Sequence, residues 1–317
     1  MRISGFTMVK NGDRLYYPVA ASIRSILPIV DEFVVALGDC DDGDGTRAAI
    51  ESIGDEKIRI IDTVWDLEKY PNGTENAHQT DIAKEHCSGD WLFYLQADEV
   101  VHEKDLDEIY ARCAQLKDDE QVEGLLFDYI HFWGDYDHYQ HGHGWYKEEI
   151  RIVRNHPEIH SWRSAQSFRR IPAFDGKDYR QKEGTYKLKV ARVKAHILHY
   201  GWVRPPHLMM DKKKSLDTIH KGAQDVAELY KEASRHFDYG PLGQLARYTD
   251  THPAVMKEWI EKMDWQDYLN QGTEDDRPKG ERGPQDRWKN RFLTWVEQKI
   301  FGGRPLGGSR NYILLKR

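Results

Sequence analysis

Gly89-Asp90-Trp91-Leu92-Phe93-Tyr94-Leu95-Gln96-Ala97-Asp98-Glu99-Val100 is the stretch whose reading decides the fold. Ser88-Gly89-Asp90 is a turn signal, and the mostly apolar residues Trp91 to Leu95 follow it. Such a run has the length of a strand buried on both faces and is too short for a buried helix. It stops on Asp98 and Glu99. In an open α/β sheet, ligands bind outside the carboxyl ends of the strands, so these two carboxylates stand where a site belongs. Their oxygens suit hard cations such as Mg2+ or Mn2+, and those cations suit phosphates. The same acids can instead simply cap the helix that Asp105 to Lys117 predicts.

Upstream, the pattern alternates strand and helix. Arg2 to Val9 reads as a strand, Lys10-Asn11-Gly12-Asp13 as a turn, and the segment from about Tyr17 to Pro28 as a helix with Val19, Ile23, Ile26 and Leu27 on its apolar stripe. Glu32 to Leu37 and Lys57 to Asp62 are further strands, Thr46 to Ile53 a short helix, and Asn76 to Cys87 the helix that leads into the central strand. Short loops between them predict a mostly parallel, doubly wound sheet in the first hundred or so residues. The loop Gly38 to Thr46 carries four aspartates. It lacks the glutamate that closes a calcium loop, leaving a solvated connection or a loop whose carboxylates hold a ribose or base.

Composition bounds the rest. The chain has 317 residues, 31% charged and 39% hydrophobic, which fits an ordered domain rather than a disordered one. No stretch approaches the roughly 20 apolar residues of a membrane span, and no apolar signal region opens the chain. Cys40, Cys87 and Cys113 form neither a disulfide framework nor a zinc pattern, so a reducing, cytoplasmic compartment is the expectation. The net charge of −7 is uneven: from Arg277 onward eleven basic residues face three acidic ones, a local +8 against −15 for what precedes. An acidic body argues against nucleic acid as a partner.

Three motifs then come together. Asn11 after the first strand, Asp44-Gly45-Thr46 closing the aspartate-rich loop, and Gly89-Asp90-Trp91 with Ala97-Asp98-Glu99-Val100 resemble glycosyltransferase family 2 and its GT-A fold. Within it, the chain is most similar to the lipopolysaccharide-core branch, whose metal motif reads Asp-Ala-Asp-Glu. The likeness spans about residues 1–205. It implies an α/β chain with a Rossmann-like central sheet flanked by helices: a nucleotide-binding half over 1–100, an acceptor half over 101–205, and a helical extension with a basic tail over 206–317. It implies a metal-dependent hexosyl transfer from a nucleotide-diphosphate sugar to a saccharide or glycolipid acceptor, with inversion, in cell-surface polysaccharide synthesis. By position, Met8, Lys10, Asp39, Gln79, Asp81, Gln96, Ala97 and Arg204 fall on the nucleotide. Asp98 falls on the metal-binding acid, and His199 on a late histidine that completes the shell of a divalent cation, Mn2+ or Mg2+. Gln96 departs from the motif, removing one charge near the cation.

The acceptor half is legible in outline. Val122 to Trp133 reads as a strand with an aromatic end, and Gly134 to Tyr146 as a Gly-rich aromatic loop. Trp133, His143 and Trp145 are the candidates to stack on and hydrogen-bond a sugar. His138, His141 and His143 recur in this loop, but the absence of a cysteine and of helical pairing argues against a zinc site. Transfer needs a carboxylate to take the acceptor's proton, and Glu149 or Glu148, ahead of the alternating strand Ile150 to Arg154, is the candidate; a salt bridge to Lys147 or Arg151 is the plainer role for either. Lys187 to Val193 reads as a strand, Met209 to Phe237 and His252 to Met263 as helices, and Gly272 to Gln285 as a linker. Arg287 to Phe301 mixes aromatic and basic residues, which suits either an anionic membrane surface or packing over the sheet's edge. Two rival functions remain: a sugar nucleotidyltransferase, which wants more glycines after the first strand, and a catalytically inactive GT-A domain that binds carbohydrate as a scaffold.

Overall fold

The computed structural model describes residues 1–231, 233–278, 282–283, 287–302, 306 and 310–317. In order, the elements are β1 (Ile3–Val9), α1 (Val19–Ile26), β2 (Glu32–Leu37), α2 (Thr46–Glu51), β3 (Ile58–Asp62), α3 (Thr74–Glu85), β4 (Trp91–Tyr94), β5 (Glu99–Val101), α4 (Leu106–Gln115), β6 (Gly124–Trp133), β7 (His138–Gln140), β8 (Glu148–Arg154), β9 (Ile159–Trp162), β10 (Ser167–Arg170) and β11 (Tyr186–Trp202). Then come α5 (Pro206–Lys221), α6 (Ala223–Leu229), β12 (Ala246–Arg247), α7 (Lys257–Glu261), α8 (Trp288–Lys299) and β13 (Tyr312–Leu314). The fold is α/β. The main path of the sheet runs β3-β2-β1-β4-β8-β6-β11-β10-β9. Its first four strands are parallel, as the strand–helix alternation requires. β8 enters antiparallel beside β4 and β6, so the second half is mixed.

Each central strand is apolar on both faces because helices cover both. Ile3 and Val9 of β1, with Trp91 and Phe93 of β4, pack with Val19, Ile23 and Ile26 of α1 and Ile109 of α4. Phe6, Leu92 and Tyr94 face the opposite side, against Ala83 of α3 and Phe168 of β10. The strand order carries a switch: the chain leaves β1 toward β2 on one side and returns through α3 to β4 on the other. At that point the pairing of β1 with β4 ends at Phe6↔Tyr94, while β1 continues to Val9. A groove therefore opens between Met8–Lys10 and Leu95–Asp98.

Several expected elements differ. β11 runs 17 residues, well past Val193. Bulges between Arg192 and His196 and between His199 and Trp202 break its alternation, and burial on both faces near its end hides the period of two. The long helix expected from Met209 is two, divided at Gly222, whose φ of 91° closes α5. The helix expected from His252 is a 3-10 turn over Ala254–Met256 followed by the short α7. The hairpin β9–β10 carried no expectation. The linker over Gly272–Gln285 and the glycine-rich turn over 302–308 fall partly outside the described residues. Among the described residues no helix is long and apolar enough to cross a membrane.

Candidate functional site

A cavity of about 540 Å³ sits at the carboxyl ends of β1 and β4, at the switch in strand order. Its floor is Met8 and Val9 from β1, Lys10 and Asn11 just after it, and Gln96, Ala97 and Asp98 after β4. Its walls are Tyr17, Trp65, Tyr146, His199 and Trp202, and one side is closed by α5 through Lys212, Ser215 and Thr218. That volume lies within the usual range for small-molecule sites.

Asp98 is the centre of it. The carboxylate is 5% exposed, and its backbone carbonyl accepts the Tyr200 N–H at 2.8 Å, which ties the turn after β4 to β11. Lys212 Nζ donates to Asp98 Oδ2 at 2.9 Å and to the Gly201 carbonyl at 2.6 Å. Burial by itself would raise the Asp98 carboxyl. The Lys212 ammonium, with His199 behind it, outweighs burial and holds the group well below the ordinary carboxylate range. Burial and the neighbouring Arg204 push Lys212 the other way, down to about 8, against the pull of Asp98. Gly201 is obligatory here, because a Cβ on it would fall 2.5 Å from both Asp98 Oδ2 and His199 Nε2.

His199 is oriented by a second histidine. β11 pairs it with His131 of β6 and with Glu99 of β5. His131 Nε2 lies 2.8 Å from the Tyr146 carbonyl, an acceptor only, so that nitrogen carries the proton. Burial above all keeps His131 well below the usual imidazole range, hence neutral. Its Nδ1 therefore accepts, and His199 Nδ1–H donates across 3.0 Å. This network assigns the lone pair of a neutral His199 to Nε2, which stands 3.7 Å from Asp98 Oδ2. The donor chemistry, one carboxylate plus one imidazole whose other nitrogen is anchored, fits a divalent cation that takes its remaining ligands from phosphates and water. Among the described residues no three His, Cys, Asp or Glu side chains gather into a complete metal shell.

Glu99 is not available to a ligand. Arg151 Nε and Nη2 clamp both its oxygens at 2.8 Å, and both side chains are fully buried. Glu99 also accepts Tyr129 Oη–H at 2.9 Å and the Gln96 backbone N–H at 3.0 Å. The pair thus fixes the turn that presents Asp98. The Gln96 amide donates to the Ala165 carbonyl at 3.1 Å, binding this turn to the β9–β10 hairpin.

Of the positions singled out in the sequence, Met8, Lys10, Gln96, Ala97, Asp98 and His199 converge on the cavity. Asp39 stands at its edge, 2.8 Å from Lys10 Nζ, and accepts the Trp65 N–H at 2.9 Å. Its neighbours in the aspartate-rich loop are held locally: Asp41 by Arg14, and Asp44 by the Arg14 and Thr46 N–H groups. Gln79 and Asp81 lie elsewhere. Gln79 donates to Glu75 at 2.6 Å within α3, and Asp81 accepts the Ser161 N–H at 2.8 Å and faces His160 at 2.9 Å, fastening α3 to β9. Arg204 is fully buried behind the wall, donating to the Leu15 and Gly201 carbonyls, and like Lys212 it lies 4.9 Å from the Tyr17 ring.

The acceptor and base candidates divide similarly. Trp133 donates its indole N–H to the Tyr239 carbonyl and stacks on Trp202 at 4.9 Å, so it backs the wall without lining it. Trp145 meets Trp133 edge-on at 5.6 Å. His143 turns away to Glu297 of α8 at 2.7 Å. His138 meets Asp135 and His141 meets the Ala246 N–H, so the three loop histidines have separate partners. Glu148, at the start of β8, is bound by Arg192 and Tyr312; burial would raise it, but those hydrogen bonds hold it low. Glu149 is buried, accepts Ser167 Oγ–H at 2.7 Å, and burial raises its carboxyl. Glu149 does not itself line the cavity; its partner Ser167 follows Gln166 in the chain, and Tyr146 lies near it, and both Gln166 and Tyr146 do line the cavity.

Sequence reasoning passed over Tyr17, Trp65 and the cavity face of α5. Lys212 stands first in the run Lys212-Lys213-Lys214, a kind of run that is usually solvated. The signal that separates it is its place on the apolar stripe with Met209, both being buried.

No protein-family model matches the chain, and no curated protein does. Among solved structures, it is similar to glucosyl-3-phosphoglycerate synthase from Mycobacterium tuberculosis in complex with Mn2+, uridine diphosphate and phosphoglyceric acid: 16% identity, 40% of this chain and 43% of that one, TM-score 0.29. Against S. aureus TarS 1-349 the figures are 15%, 49%, 47% and 0.32. Against the mannosyltransferase PcManGT from Pyrobaculum calidifontis in complex with GDP-Man and Mn2+ they are 18%, 39%, 34% and 0.30. The chain thus spans less than half the length of each.

Proposed function

We propose that the chain is a glycosyltransferase that takes a sugar from a nucleotide-diphosphate donor and passes it to a saccharide or glycolipid hydroxyl. The single observation carrying this is Asp98: a carboxylate at the end of β4, at the strand-order switch, in the floor of a cavity whose charged neighbours are cations. Lys212 and the buried Arg204 outnumber Asp98, so the field there favours a diphosphate. Asp98 and His199 would hold a divalent cation, Mn2+ or Mg2+, which when bound neutralises charge on the departing diphosphate. Trp65, over which Lys10 sits at 5.9 Å, also lines the cavity and is the ring we assign to the nucleotide base.

Glu149 is the residue we assign to accept the acceptor's proton. A carboxyl raised by burial is the better base near neutrality, and attack opposite the departing diphosphate inverts the sugar. Tyr146 and Trp202 supply the apolar wall that a sugar ring stacks on. The sequence resemblance carries the reading on to cell-surface polysaccharide synthesis. Lys10-Asn11-Gly12-Asp13 makes no glycine-rich phosphate cradle, which disfavours nucleotidyl transfer.

Titrating UDP and GDP calorimetrically with Mn2+ tests the reading. One should bind, and Asp98→Asn should lose binding together with sugar transfer and donor hydrolysis. Unimpaired turnover by that variant, or no diphosphate binding by the native chain, would refute it.

A further inference from the structure

Among the described residues, none covers one face of α8. Trp288, Phe292 and Trp295 are 81%, 57% and 54% exposed. They are spaced four and three apart, so they form one stripe along the helix. Lys299 continues that stripe, and Lys289 and Arg291 flank it; all three are exposed. The rings of Phe292 and Trp295 lie stacked at 6.3 Å. Beyond the helix, Ile300 and Phe301 are exposed as well.

The opposite face explains the orientation. Glu297 is the one acidic residue within α8, and it points inward, fully buried, onto His143 at 2.7 Å and Lys147 at 3.6 Å. Thr294 Oγ accepts the His143 N–H at 2.8 Å, and the Gln298 amide donates to the His141 carbonyl at 3.2 Å. The helix is therefore fastened by its polar side with its aromatic side outward, the reverse of a helix that packs to bury its apolar stripe. Every ionised side chain that α8 exposes is basic.

We infer that this face of α8 docks on an anionic lipid surface. Indole and phenyl rings settle at the headgroup boundary, and lysine and arginine beside them meet anionic headgroups. A protein partner with an apolar groove would satisfy the rings but leave a one-sign ring of cations to be matched. A bilayer carrying anionic lipid matches both. The loop that anchors α8, residues 141–146, also carries Tyr146 into the cavity. The surface does not depend on the donor assignment.

The test is co-sedimentation of the full chain, without nucleotide, with vesicles of phosphatidylcholine alone or with roughly one-third phosphatidylglycerol. The native chain should pellet with the anionic vesicles only, with a blue shift of tryptophan emission. Replacing Lys289, Arg291 and Lys299 together by Gln should weaken partitioning about a hundredfold. Replacing Trp288, Phe292 and Trp295 together by Ser should abolish both pelleting and the blue shift. Both variants change exposed side chains, and an unaltered thermal midpoint verifies their fold. Failure of the native chain to pellet with anionic vesicles overturns the inference. So does equal pelleting by the serine variant, or a native dimer in sedimentation velocity that the serine variant dissolves, since the stripe would then serve a second copy of the chain.

Discussion

At the scale of single residues, the site turns on a carboxylate that is kept ionised inside a closed floor. Gly201 makes this possible by having no side chain. Gly201→Ala should therefore cost at least tenfold in diphosphate affinity by calorimetry, while far-ultraviolet circular dichroism stays native. Unchanged affinity would mean that Asp98 does not need its present seat. Glu149 gives a prediction in pH. Its carboxyl is raised by burial, so folding favours its protonated form; that contribution is present below the unfolded value near 4.3 and lost as pH rises through the folded one. Glu149→Gln should consequently match or exceed the native chain in thermal midpoint at neutral pH, yet lose transfer by about a hundredfold or more. In the native chain kcat/KM should fall with acidification, with its inflection above the ordinary glutamate range. A variant that loses stability and retains transfer would assign Glu149 a structural part only.

At the scale of elements, the turn between β4 and β5 is held by charge rather than by apolar packing. Arg151 of β8 reaches across to clamp Glu99, and the pair is wholly buried. Breaking such a pair leaves one charge uncompensated, which costs about 3–5 kcal/mol. Arg151→Met should lower the urea midpoint accordingly, and it should weaken diphosphate binding as well, because the Gln96 N–H and the Asp98 turn lean on Glu99. A drop in stability with donor affinity intact would detach the clamp from the site. β11 complements this clamp, since one strand brings His199 to Asp98 and, through Gly201, leaves room for both.

Across the whole molecule, the cavity is assembled from segments far apart in sequence: the end of β1, the end of β4, Tyr146, β11 and α5. A ligand binding there should stabilise the chain globally. At a hundredfold excess over its dissociation constant, a nucleoside diphosphate should contribute about 2.7 kcal/mol. The thermal midpoint should rise by several degrees with Mn2+ present and return most of the way with chelator. A midpoint that ignores both additions would argue against a diphosphate in this groove.

Much of this was determined by the sequence alone. The run Trp91 to Leu95 ending in acids, with strand–helix alternation before it, specified the parallel half, because local period and turn residues act over a few positions. Asp98 was legible as the acid ending a buried strand, whereas Met8, Lys10 and His199 were named through the family resemblance; the fold brings all four to one cavity. Trp65 and Tyr17 were decided only in three dimensions, and so was Lys212, whose helical register with Met209 separates it from exposed Lys213 only once α5 is packed. The same holds for Glu99, which reads as Asp98's equal until a strand some fifty residues away neutralises it. Asp81 and Glu148 likewise went to tertiary partners in β9, β11 and β13. Whether a charged side chain faces a ligand or a partner depends on which groups the fold brings within hydrogen-bond reach, and those groups come from distant parts of the chain.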